Sequence, residues 1–110
     1  MNMTRTNLIR GTTPTLTFTL PITAEQVAAA FITVAQNGET VLETQTGTTE
    51  CTYEQNSIVW HLTQEETLKL ESSGDGTVKI QIRLRTNDGE ALASQIIPTS
   101  VAGILKDGVI

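Results

Sequence analysis

Reactive side chains are scarce in this chain of 110 residues, which has one His, one Cys and three Asp. The lone Cys51 has no partner within the chain, so an intrachain disulfide framework is excluded, and a single thiol is compatible with a reducing compartment. Aromatics amount to Phe18, Phe31, Tyr53 and Trp60. Bases are few as well: seven Lys and Arg stand against twelve Asp and Glu, a formal charge of −5, which speaks against a basic nucleic-acid binder. No apolar run approaches the ~20 residues of a membrane span. No basic-plus-apolar leader opens the chain, so neither a spanning segment nor a secretory signal is expected.

Threonine is abundant, at 20 of 110 residues. Its β-branched side chain fits a pleated, half-exposed surface better than a helix. Regularly spaced Val, Ile and Leu with only 17% charged residues oppose disorder. The length suits one domain over residues 1–110 that buries its own core. Charge is uneven: residues 1–20 carry +2, residues 21–76 carry −8 and residues 77–110 carry +1. An acidic middle between near-neutral ends can orient contacts between copies.

Period-two alternation marks the strands. In residues 15–20, Leu16, Phe18 and Leu20 share one face and three threonines the other, between Pro14 and Pro21. Residues 27–36 and 39–46 read as a hairpin across Asn37-Gly38, a pair suited to a turn that needs positive φ twice. A short strand is expected at 49–54, with Cys51 and Tyr53 on one side. After a turn at Gln55-Asn56, Ile58, Trp60 and Leu62 form a core face. Thr63-Gln64-Glu65-Glu66 is a capping-box pattern that opens one short helical turn, with Leu68 and Leu70 under the core. Residues 77–86 put Val78, Ile80, Ile82 and Leu84 inside and Lys79, Gln81, Arg83 and Arg85 outside. Asn87-Asp88-Gly89 turns into a run at 90–101, where Pro98 implies an edge or a bulge. The reading is an all-β, immunoglobulin-like two-sheet sandwich of about seven strands with one short helical turn; a small β-barrel is the alternative. An extended segment 1–13 and an apolar tail 102–110 flank it.

Each candidate for chemistry has a structural explanation. His61 lies beside Trp60 with no motif that supplies a catalytic partner. Cys51 sits between Glu50 and Glu54, which would raise its pKa rather than activate it. Glu66 is absorbed by the cap, and adjacent Glu65 does not face it. Gly74-Asp75-Gly76 lacks the Lys-Ser/Thr ending of a phosphate loop and does not match a calcium loop. Asn2-Met3-Thr4 matches a glycosylation sequon by chance. Lys79, Arg83 and Arg85 form a basic stripe, expected to face Glu39 and Glu43 on a neighbouring strand or a partner subunit rather than nucleic acid. No catalytic, metal-binding or cofactor-binding residue is expected.

The segments RGTTPTLTFTLP, FITVAQNGETVLE, HLTQEETLKL and ALASQIIPTSVAGILKDGVI, in that order, resemble small proteins from the structural gene region of phages and prophages of Gram-positive bacteria. The resemblance implies a non-enzymatic virion protein of the tail or baseplate, made in the host cytoplasm and built on an Ig-like sandwich. Such a protein packs in multiple copies with itself and with other virion proteins, without nucleic acid or membrane. The candidate interface comprises Arg5, Arg10, Lys79, Arg83, Arg85, Ile104, Leu105, Val109 and Ile110, with the edge strands. The alternative is a carbohydrate- or host-surface-binding module, which would need exposed aromatics; here most of the four read as buried.

Overall fold

The computed structural model describes residues 2–4, 8–72 and 76–110. The described residues form ten strands: β1 (Asn2–Thr4), β2 (Leu8–Ile9), β3 (Thr15–Thr19), β4 (Val27–Gln36), β5 (Glu39–Gln45), β6 (Cys51–Glu54), β7 (Ser57–His61), β8 (Thr77–Thr86), β9 (Ala91–Ala93) and β10 (Ile97–Ala102). A 3-10 turn at Ala24–Gln26 precedes β4, and a single helical turn, α1 (Gln64–Leu68), joins β7 to β8. One sheet runs β1-β3-β7-β6. The other runs β2-β10-β8-β4-β5, with β9 also paired to β8. The molecule is an all-β two-sheet sandwich.

Alternation builds the two inner faces. Leu16 and Phe18 of β3 and Ile58 and Trp60 of β7 meet Ile32 and Val34 of β4 and Val78, Ile80, Ile82 and Leu84 of β8 in one core, all at most 3% exposed. Burial of each such side chain contributes about 1.5–3 kcal/mol. The hairpin of β4 and β5 turns as the sequence implies: Asn37 has φ 54° and Gly38 φ 80°, both in the left-handed region. A register shift between Val34 and Ala35 accommodates one extra residue of β5. The capping box is complete, with Thr63 Oγ1 accepting from the Glu66 amide and Glu66 Oε1 from the Thr63 amide.

Four details differ from the sequence reading. Residues 1–13 are not simply extended: β1 pairs antiparallel with β3, and β2 pairs parallel with β10, so the chain contributes to both sheets before reaching β3. Strands of two or three residues are too short for a period of two to show, which is why about seven strands were legible and the described residues form ten. The run 90–101 is broken at Ser94, whose hydroxyl accepts from the Ile82 amide at 3.0 Å where a strand carbonyl would stand. Pro98 then falls in β10 opposite Lys79, clear of the β2 pairing at Val101 and Ala102. Ala102 belongs to β10, so the tail begins at Gly103. Leu68 is only half-buried; Thr67 is the fully buried residue of α1, with its hydroxyl donating to the Thr12 carbonyl at 2.8 Å.

Buried Gln36 splices β4 to the segment after α1. Its amide nitrogen donates to the Glu71 carbonyl at 2.6 Å and its carbonyl accepts from the Glu71 amide at 2.7 Å. One side chain thus reproduces the paired bonds of a strand ladder and gives both polar atoms of a buried amide a partner.

Candidate functional site

His61, Cys51 and Glu66 each have a structural setting. His61 is on the outer face of β7, and its Nδ1 lies 2.8 Å from Thr15 Oγ1 on β3. Cys51 is fully buried, and burial pushes its thiol from the ordinary 9.0 to about 11. The direction matches the sequence argument, but the cause is loss of solvent rather than Glu50 and Glu54. Glu66 is held by the cap, and Glu65 is exposed. Gly74 and Asp75 lie outside the described residues, as does Arg5. Asn2 and Thr4 are exposed on β1. Among the described residues, no three His, Cys, Asp or Glu side chains gather as metal ligands, and no helix is long and apolar enough to cross a membrane.

Two clefts flank the 3-10 turn. One, of about 240 Å³, lies between Ile22, Gln26 and the β8–β9 turn. Its polar groups serve that turn: the Thr86 hydroxyl donates to Asp88 Oδ1 and accepts from the Glu90 amide. The other, of about 640 Å³, lies between Thr23–Glu25 and Tyr53, Gln55 and Asn56. The Tyr53 hydroxyl is paired with Thr46 Oγ1 at 2.6 Å.

Arg10, read as an interface residue, is a clamp within the chain. Its Nε donates to the Leu70 carbonyl at 2.7 Å, Nη2 to the Leu68 carbonyl at 3.1 Å and Nη1 to Asp107 Oδ1 at 2.6 Å. Carbonyls at the end of a helical turn lack intrahelical donors, and a guanidinium with several fixed donors serves two of them and a carboxylate together. At the neighbouring Gly11, which has φ 75°, a Cβ would stand 2.9 Å from Ile104 Cδ1, so a side chain there would displace the tip of Ile104. Ile104 is accordingly half-buried and anchors the tail. Gln64 holds the far end: its Oε1 accepts from the Ile110 amide at 2.8 Å and its Nε2 donates to the Ile110 carbonyl at 3.3 Å. Between and beyond these ties, the side chains of Leu105, Val109 and Ile110 are exposed.

The basic stripe is exposed as expected, but its expected partners are elsewhere. β4 lies between β8 and β5, so Lys79, Arg83 and Arg85 are two strands from Glu43, about 10 Å by backbone spacing. Glu39 pairs with buried Gln36 and stands on the other side of the pleat. None of the three bases forms an ion pair among the described residues. Between stripe and Glu43 lies Phe31, 42% exposed, paired with Arg83 on one side and Gln45 on the other. Phe31 is the exposed one of the four aromatics, and the sequence reading assigned it to no face. Once Ile32 and Val34 face inward, strand parity puts Phe31 outside, so the signal was present in the hairpin register. Trp60 and Phe18 are at most 1% exposed and offer no stacking surface, and Trp60 Nε1 has no hydrogen-bond partner among the described residues.

No protein-family model, curated protein or solved structure matches the chain.

Proposed function

We propose that this chain is a non-enzymatic virion structural protein of the tail or baseplate region, an immunoglobulin-like block that assembles in multiple copies with other virion proteins. The observation that carries this reading is the segment 103–110. It is tied at two points, by the Asp107 side chain to Arg10 and by the Ile110 backbone to Gln64, while Leu105, Val109 and Ile110 are exposed. Apolar side chains presented on a segment tied at two points have the form of a docking element, since part of the ordering cost of that segment is met before a partner arrives. The strand orders β3-β7-β6 and β10-β8-β4 correspond to B-E-D and G-F-C of an immunoglobulin sandwich, which supports the finer fold reading. The sequence resemblance to phage structural proteins supplies the setting.

The test is co-assembly of the full chain with the other structural proteins of its phage or prophage. Deleting the tail would also remove Asp107 and Ile104, so the informative variant is the double substitution Leu105→Ser and Val109→Ser. It is expected to keep the wild-type denaturation midpoint and to lose co-assembly. Undiminished assembly of that variant would exclude the tail, and a wild-type chain with no affinity for any virion protein would overturn the reading.

A further inference from the structure

We propose that the outer face of the six-stranded sheet docks a second copy of this chain, face to face, about a two-fold axis parallel to β4. The central row of that face is β4, where Ala29, Phe31, Thr33 and Ala35 alternate outward. Three of these are small, and Phe31 is the one large apolar group standing above them. Its flanks carry opposite charge: Arg83 of β8 on one side, directly opposite Phe31, and Glu43 of β5 on the other, opposite Thr33. Neither charge is in an ion pair among the described residues.

A two-fold axis parallel to the strands preserves height along β4 and exchanges left for right. It lays β8 of one copy over β5 of the other and sets Phe31 against the partner's Phe31. Arg83 then lies over the partner's β5, about 7 Å along the strand from Glu43 of the partner subunit, a distance its long side chain spans. Symmetry makes the same pair twice. An axis running across the strands instead lays β8 over β8 and opposes Lys79, Arg83 and Arg85 to their own copies, which like-charge repulsion disfavours. The charge pattern therefore selects one dimer geometry. Because face-to-face sheets cross at about 30°, the axis departs from each β4 by about 15°, an offset that the reach of Arg83 accommodates.

Four strands by the length of β4 give about 600 Å² per copy, below the ~800 Å² of a standard interface, so the dimer is weak and depends on concentration. This inference rests on the multi-copy part of the proposed function but uses different residues from the tail. Sedimentation equilibrium of the isolated full chain tests it. The wild type is expected to associate to a dimer as concentration rises. Arg83→Glu and Glu43→Arg are each expected to weaken dimerisation ~10-fold or more, and the double exchange to restore it. Phe31→Thr abolishes dimerisation without unfolding, as circular dichroism will verify, while the Leu105→Ser, Val109→Ser variant dimerises normally. A wild type that stays monomeric at all concentrations, or a double exchange as weak as the sum of its parts, overturns the proposed dimer. A wild-type chain that dimerises but has no affinity for any virion protein overturns the functional reading instead.

Discussion

Arg10 divides one guanidinium between two backbone carbonyls and one carboxylate, and its contacts differ in worth. The bonds to the Leu68 and Leu70 carbonyls are partly shielded and charge-assisted, whereas Asp107 is 63% exposed and its ion pair is screened by water. Arg10→Ala is expected to destabilise the fold by about 2 kcal/mol. Asp107→Asn is expected to change it by less than about 1 kcal/mol, both read by urea denaturation. Arg10→Lys does not rescue, because a single ammonium cannot reach three acceptors in one plane. Cys51 makes a second prediction. Its pKa is higher in the folded chain, so burial of the neutral thiol stabilises the fold fully below pH 9.0, and that contribution is lost as pH rises through about 11. The denaturation midpoint of the wild type is therefore expected to fall over that window more than that of Cys51→Ala, and a thiol reagent to modify Cys51 only on unfolding. Neither role was fully legible from composition. The Cys51 shift was anticipated from its acidic neighbours, but burial depends on which face of β6 turns inward. Arg10 finds its acceptors 58 to 97 residues away, which no local pattern encodes.

At the scale of elements, local chemistry was the more readable part. Of the two longest strands, Thr77–Thr86 coincides with an alternating run, because ten residues show a period of two clearly, whereas Val27–Gln36 was legible from Phe31–Val34 and the Asn-Gly turn that follows. The Asn-Gly turn and the capping box were equally plain, since each is specified by adjacent or near-adjacent residues. The turn yields a clean test. Nothing lies within 4 Å of the position a Cβ would take at Gly38, so a substitution there meets no steric neighbour and only the positive φ opposes it. Gly38→Ala is expected to cost about 1–2 kcal/mol, measured by thermal or urea unfolding. Asn37→Gly is expected to stay within about 1 kcal/mol of the wild type, because Gly adopts the same region readily. What could not be read was the short pairing: β1, β2 and β9 draw their existence from the strands they meet, not from their own sequence. The break at Ser94 was likewise hidden, because Pro98 pointed to an irregularity without locating it.

At the scale of the molecule, the sequence separated inside from outside but not which outward residues would be neighbours. The basic stripe and Glu43 were both correctly placed on the surface. Their separation by β4 follows from the sheet order, which is a long-range property. The same order decides how the chain bears load. β2 and β10 run parallel, and the Arg10 amide adds a bond to the Ala102 carbonyl at 3.0 Å next to their register. Tension applied before β2 and after β10 slides these strands past one another, so their bonds are strained together rather than opened one at a time. β1 is antiparallel to β3 and peels sequentially under a pull at its free side. In single-molecule stretching by handles fused at both ends, the β2–β10 seam is expected to set the main rupture force. Leu8→Pro, which removes a donor from the seam and a fully buried side chain from the core, is expected to lower that force. Two residue pairs in shear thus make this sandwich a link that transmits tension along its chain, a property that its folding stability alone would not disclose.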